Sequence, residues 1–293
     1  MKKFDIDVKR HSNHKPLKYL NKNIHPLSLY YLSNNKEFIL NLDLSIGRTS
    51  RFYDLSQKSY DPHLFSLKKN LKKVVNYDLY HQKTLLMINK SKEYIKFKNL
   101  FEFYGITKNS NSLLNKYPCW SNVLPWENTK IRDKYLSFPK SVKFDRGKNG
   151  LKINSNNGIE IMKIDEKFSA NSHISQYISL INSIKNYGYS PEKNDNYIEA
   201  EILIKEDDYR WKVGGEGNHR ALVLTILGYK YVDCKINKII RYEDAKFWPN
   251  VINGLFTTKQ AQIIFMRFFD AKPPKSYSQW NDYCKKFHLD EKF

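Results

Sequence analysis

Residues 213–236 read VGGEGNHRALVLTILGYKYVDCKI, and their pattern changes period twice. Val213 closes an apolar stretch, three glycines (Gly214, Gly215 and Gly217) break it, and Ala221, Leu222 and Leu224 then recur at helical spacing up to Gly228. Tyr231 to Ile236 returns to alternation. The order is strand, glycine turn, helix, strand. The glycines let the backbone turn sharply and approach a ligand closely. A helix opening near Asn218 turns unpaired N–H groups and the positive end of its dipole toward an anion. Arg220 adds a charge that can grip phosphate through two hydrogen bonds, and His219 can donate to a phosphate oxygen or carry a proton near neutral pH. Gly214, Gly215, Gly217, Asn218, His219 and Arg220 are therefore the candidate phosphate-binding residues. The same residues also suit a plain turn before a helix, with His219 and Arg220 bonded to nearby carbonyls.

Upstream, Ile198, Ala200, Ile202 and Ile204 alternate with more polar neighbours, which predicts a half-buried strand. Glu206-Asp207-Asp208 marks a turn, and Tyr209 to Val213 completes a hairpin. Before it, Ile174, Ile178, Ile181 and Ile184 form one apolar helical face, with Ser172 as the expected N-cap and Gly188 as the stop. Downstream, the chain turns helical after Asp244. Thr257 and Gln260 stand at capping-box spacing, and a last helix is expected to hold Trp280 and Phe287.

The stretch Ile164–Lys238 resembles the ParB/sulfiredoxin-like superfamily, whose nucleotide-binding loop reads roughly G-x-H-R and opens a helix ending in Leu-Gly. The match rests on Gly217-Asn218-His219-Arg220, on Ala221, Leu222 and Leu224, and on Leu227-Gly228-Tyr229. It extends to Ser183-Ile184-Lys185 and Gly188-Tyr189 upstream. The resemblance implies a nucleotide, ATP or CTP, bound with Mg2+, and phosphoryl transfer or hydrolysis with a small-molecule acceptor. Asn218 stands where sulfiredoxins carry their catalytic cysteine, so sulfinic-acid reduction is not expected, and Cys234 lies too far along to replace it. The helices after Asp244 lack the helix–turn–helix pattern of the partition proteins. The free serine kinases of this fold need an acid/base carboxylate near the phosphates. Glu166, in KIDEKF, is the candidate beside His219, with Asp165 and Glu216 as rivals. A DNA-binding or nuclease protein of the ParB-like type is the second reading, and a non-catalytic nucleotide-sensing scaffold is the third.

The expected fold class is α+β: an irregular α+β region over 1–157, a ParB/sulfiredoxin-like α/β domain over 158–245 and a helical extension over 246–293. The first boundary falls in the Asn- and Gly-rich KNGLKINSNNG (148–158). Within the first region, Phe38 to Ile46 reads as a strand, Asp61 to Asn76 as a helix with Pro62 in its first turn, and Thr84–Ile88 and Tyr94–Tyr104 as further elements. Asp61-Pro62-His63 and Leu124-Pro125-Trp126-Glu127 resemble the upstream region of ParB-like proteins encoded beside cell-surface polysaccharide genes. Trp120, Pro125 and Trp126 suit covering an interface or stacking on a sugar. His63 and His81 lack a second ligand at helical spacing, so no metal site is expected.

The 293 residues, 41% hydrophobic and 15% aromatic, suffice for a substantial core and exclude wholesale disorder. No apolar run is long enough for a membrane-spanning helix. MKKFDIDVKRHSNHK (1–15) lacks the apolar core of a secretory signal, and Cys119, Cys234 and Cys284 form no CxxC pair, so a reducing cytoplasm is the expected location. The net charge of +20 suggests nucleic acid as a partner, but 41 of the 50 basic residues are lysine, as an AT-rich coding sequence would produce. Such a surface attracts phosphate without reading bases, so any DNA binding is expected to be salt-sensitive. The lysines of SLKKNLKKVV (66–75) fit the wet face of an amphipathic helix.

Overall fold

A computed structural model describes residues 17–19, 24–34, 36–71, 77–107, 113–137 and 166–289. In chain order the elements are β1 (Leu17–Tyr19), α1 (Pro26–Leu32), β2 (Phe38–Asp43), β3 (Gly47–Arg48), α2 (Pro62–Leu71), α3 (Tyr77–Tyr94), α4 (Leu100–Tyr104), α5 (Leu113–Lys116) and α6 (131–137). They continue with α7 (Glu166–Tyr187), β4 (Ile198–Lys205), β5 (Asp208–Val213), α8 (Asn218–Ile226), β6 (Tyr231–Arg241), α9 (Pro249–Ile252), α10 (Thr258–Phe269) and α11 (Ser278–Leu289). The chain is α+β, with one mixed six-stranded sheet in the order β1-β2-β6-β4-β5-β3.

The hairpin forms as its alternation predicts, from Ala200 opposite Val213 to Lys205 opposite Asp208, with Glu206 in the left-handed region at the turn. β4 also pairs in parallel with β6, and α8 makes the crossover between β5 and β6. The register slips between Ala200 and Glu201, so that Ala200 faces Ile236 and Glu201 faces Lys238. That bulge skips Asn237, whose amide donates to Glu199 at 3.4 Å.

β4 is not the half-buried strand expected from its alternation. Ile198, Ala200, Ile202 and Ile204 join one core with Tyr177, Ile181, Leu64, Leu67 and residues 221–224 of α8. Leu203, on the other face, joins a second core with Trp126, Trp248, Phe265 and Phe268. Glu201 is buried there too, because Lys212 Nζ lies 3.1 Å away and the Trp126 indole donates to the same carboxylate oxygen at 3.0 Å. Burial opposes its ionisation, yet Lys212 and that indole hold its carboxyl below the usual range. Trp126 therefore serves packing and a buried hydrogen bond, stacked edge-on against Trp248, and is closed to a sugar. The side chain of Trp120 lies outside the described residues.

The sheet crosses the expected 157/158 boundary. β2 pairs antiparallel with β6, from Phe38 opposite Ile236 to Asp43 opposite Tyr231, and β3 pairs with β5. The second core likewise spans the expected 245/246 boundary, joining Leu203 and Ile240 to Ala261, Ile264 and Phe265. The physical reason is that both free edges of the 198–241 strands need partners, and strands from the first fifty residues supply them. Arg48, buried at the end of β3, donates to the carbonyls of Phe268 (2.6 Å) and Phe269 (2.8 Å), which ties the sheet edge to the last turn of α10. Burial pushes its guanidinium down to about 10.

Other boundaries shift. The helix expected from Ser172 begins at Glu166, so Ser172 lies inside α7; Gly188 ends it at a φ of +73°. The Asp61 helix is described from Pro62 to Leu71, with residues 72–76 outside the described set. Thr84–Ile88 belongs to one helix running from Tyr77 to Tyr94, and Leu100–Tyr104 is separate, capped by the Asn99 side chain. The expected capping box is present: Thr257 accepts from Gln260 N at 3.2 Å and Gln260 accepts from Thr257 N at 3.0 Å. Residues 148–158 lie outside the described residues.

Candidate functional site

The glycine loop is fastened to the start of β4. Gly214 N donates to Glu199 O at 2.8 Å, and Glu199 N donates to Glu216 O at 3.1 Å. Gly217 precedes α8 with a φ of +101° and no side-chain cap. A Cβ there would stand 2.9 Å from Ile198 Cα and 3.0 Å from its Cγ1, so glycine is required both for conformation and for closeness. Six consecutive buried residues, Ala221 to Ile226, then anchor α8 on the sheet. Each leucine or isoleucine among them contributes about 1.5–3 kcal/mol by leaving water.

Neighbouring residues leave a helix about 100° apart, and His219 and Arg220 go to different partners. His219 packs against α7. Its Nε2 lies 3.0 Å from Nδ1 of His173, and its ring meets the Tyr177 ring edge-on with centroids 4.7 Å apart. His173 and Tyr177 are four residues apart and so share a helix face. Tyr177 OH is in turn 3.0 Å from Nδ1 of His63, the second residue of α2. Asp61, fully buried, accepts from the N–H groups of His63 (3.0 Å) and Leu64 (3.3 Å), and pairs with Arg51 at 3.3 Å. The openings of α2 and α8 thus meet at one cluster: His63, His173, Tyr177 and His219, backed by Arg51 and Asp61. Arg220 donates instead to the carbonyl of Asn196, in the loop before β4.

Burial, followed by Arg51 and the two other imidazoles, holds His63 well below the ordinary imidazole range, so it is neutral at pH 7. Burial raises Tyr177 above the usual phenol range, so its hydroxyl keeps its proton. One proton therefore occupies the His63–Tyr177 bond. The thiol of Cys234, fully buried in β6, is pushed well above its usual range by burial and is no nucleophile.

The carboxylates fall in different places. Glu166 is the first residue of α7, seven positions and about 10 Å along the axis before His173, and its side chain lies outside the described residues. Asp165 lies outside them altogether. Glu216 is exposed in the loop. Glu199, which the sequence did not single out, has an oxygen 2.6 Å from where a Cβ on Gly215 would stand. An anion at Gly215 would meet that charge, so the favourable side of the loop for phosphate is Asn218 to Arg220. Among the described residues no three His, Cys, Asp or Glu side chains converge to hold a metal ion. If this loop holds phosphate, Glu199 beside it and Glu216 within it would fit Mg2+ carried by a nucleotide, because Mg2+ is commonly held by one or two carboxylates plus phosphate oxygens.

His173, Tyr177 and Arg51 were not expected at the site. The one local signal for the first two was their i, i+4 spacing beside an apolar stripe. No helix among the described residues is long and apolar enough to cross a membrane. No protein family, curated protein or solved structure matches this chain.

Proposed function

We propose that this α+β chain is a ParB/sulfiredoxin-like nucleotide-binding protein that transfers or hydrolyses a phosphoryl group of ATP or CTP, with a small hydroxyl compound as acceptor. The observation that carries the proposal is the opening of α8: an uncapped helix N-terminus, entered through a left-handed glycine pressed on β4, with His219 and Arg220 in its first turn. In this reading the phosphates lie against the backbone of residues 218–220. Arg220 leaves the Asn196 carbonyl to hold them, and His219 moves the proton of the attacking hydroxyl. Mg2+ bound with the nucleotide would neutralise phosphate charge, with Glu199, whose carboxylate lies beside Gly215, as the candidate carboxylate. Glu166 is kept as a second acid/base candidate by its position at the start of α7.

A thermal-shift screen of ATP and CTP with and without Mg2+ tests the reading, since a ligand that binds only the folded state raises the midpoint with occupancy. One nucleotide should raise it in the presence of Mg2+. No shift with either at millimolar concentration contradicts the proposal.

A further inference from the structure

The contact between His173 and His219 has a consequence set by valence alone. When both are neutral, two imidazoles whose nitrogens face each other at 3.0 Å share one proton in that bond. If His219 carries it on Nε2, then Nδ1 of His173 must be a lone pair, and the reverse arrangement exchanges both. The two tautomers are locked together. A proton on both facing nitrogens would set two N–H groups against each other and break the contact.

We propose that His173 is a positioning residue for His219, tying its tautomer to that of His173 and fixing the ring orientation in which His219 handles a proton at the opening of α8, with Tyr177 and His63 holding the pair in register. The geometry supports this from three sides. The hydrogen bond fixes one nitrogen of His219, and the edge-on Tyr177 ring, at an interplanar angle of 88°, fixes the ring plane. The Tyr177 hydroxyl is tied to a different helix through His63. His173 also meets the His63 ring edge-on, with centroids 6.3 Å apart. The charged and titratable groups that act on His63 beside the pair are Arg51, His173, His219 and Lys92.

The role of His219 in turnover rests on the function proposed above; the locking of its tautomer does not. The test therefore has two readouts on the full chain. Long-range proton–nitrogen correlation of 15N-labelled histidines should show His173 and His219 in the same tautomer in the wild type, both protonated at Nε2 or both at Nδ1. His173→Leu should convert His219 to the mixed pattern of an unrestrained imidazole, and His173→Gln, which keeps a donor and an acceptor, should retain most of the wild-type pattern. Different tautomers on His173 and His219 in the wild type, or an unchanged His219 pattern in His173→Leu, overturns the proposal. For nucleotide turnover, His173→Leu should lower kcat by about 10- to 100-fold, within the reach of general acid–base catalysis, and alter the pH profile, while KM stays within about twofold. His173→Gln should recover most of the rate. Full turnover with an unchanged pH profile in His173→Leu also overturns it. A locked tautomer in a protein that binds no nucleotide leaves the positioning claim intact and removes the proposed function.

Discussion

Nδ1 of His173 lies 3.0 Å from Nε2 of His219, although the two residues are 46 positions apart and sit on different helices. That bond makes the opening of α8 more than the end of a glycine turn. It joins the first turn of α8 to the middle of α7, and the Tyr177 hydroxyl carries the connection on to the first turn of α2.

Gly217→Ala should destabilise the chain by about 1–3 kcal/mol, the range for a strained backbone conformation, because it combines a φ of +101° with a Cβ 2.9 Å from Ile198 Cα. Chemical denaturation measures it directly. Gly228→Ala is the control for strain alone, since its φ is also positive but a Cβ there meets nothing within 4 Å. The Gly217 variant should be the less stable of the two.

His63 supplies a pH dependence. Its folded-state value lies well below the ordinary imidazole value of about 6.5, through burial and then Arg51. The unfolded chain therefore binds the proton first as pH falls below about 6.5, so stability is full above that pH and declines beneath it. The loss for one group is at most about 1.4 kcal/mol per pH unit. Denaturation midpoints at pH 7.5 and 5.5 should differ less in His63→Gln than in the wild type. An equal difference would show that the ring titrates freely.

The hairpin, the course of α8 and the Thr257–Gln260 capping box were legible in the sequence because each is local: a period, a glycine or a three-residue spacing. The insertion of β2 beside β6 was not. Asn41 donates to Asp233 at 2.7 Å across 192 positions, and nothing near either residue announces the other. β4 misled for a different reason. Glu201 looks like a solvent-facing residue in an alternating strand until Lys212 and Trp126 are seen to bury and satisfy it. His173 had no chemical signal of its own, whereas a carbonyl partner for Arg220 was the plain alternative for the loop, and the Asn196 carbonyl is that partner.

Lys212→Met should cost about 3–5 kcal/mol, because it strands the buried Glu201 carboxylate between β4 and the second core. The double substitution Lys212→Met with Glu201→Leu should recover much of that loss, since no unpaired charge remains. Denaturation of both variants checks this. A loss below about 1 kcal/mol in the single variant would mean that water reaches the carboxylate.

The most direct test of the central claim is a calorimetric titration of Mg2+ with ATP or CTP into the wild type, Arg220→Ala, Arg220→Lys and His219→Ala. One nucleotide should bind the wild type. Arg220→Ala should weaken that binding by about two orders of magnitude or more, from two charge-assisted hydrogen bonds of about 1.5–3 kcal/mol each at about 1.4 kcal/mol per tenfold. Arg220→Lys should recover only part of it, because lysine lacks the planar fork, and His219→Ala should stay within a few-fold of wild type while losing turnover. Equal affinity in the wild type and Arg220→Ala, or no binding by the wild type, would contradict the account and leave residues 214–220 as a turn.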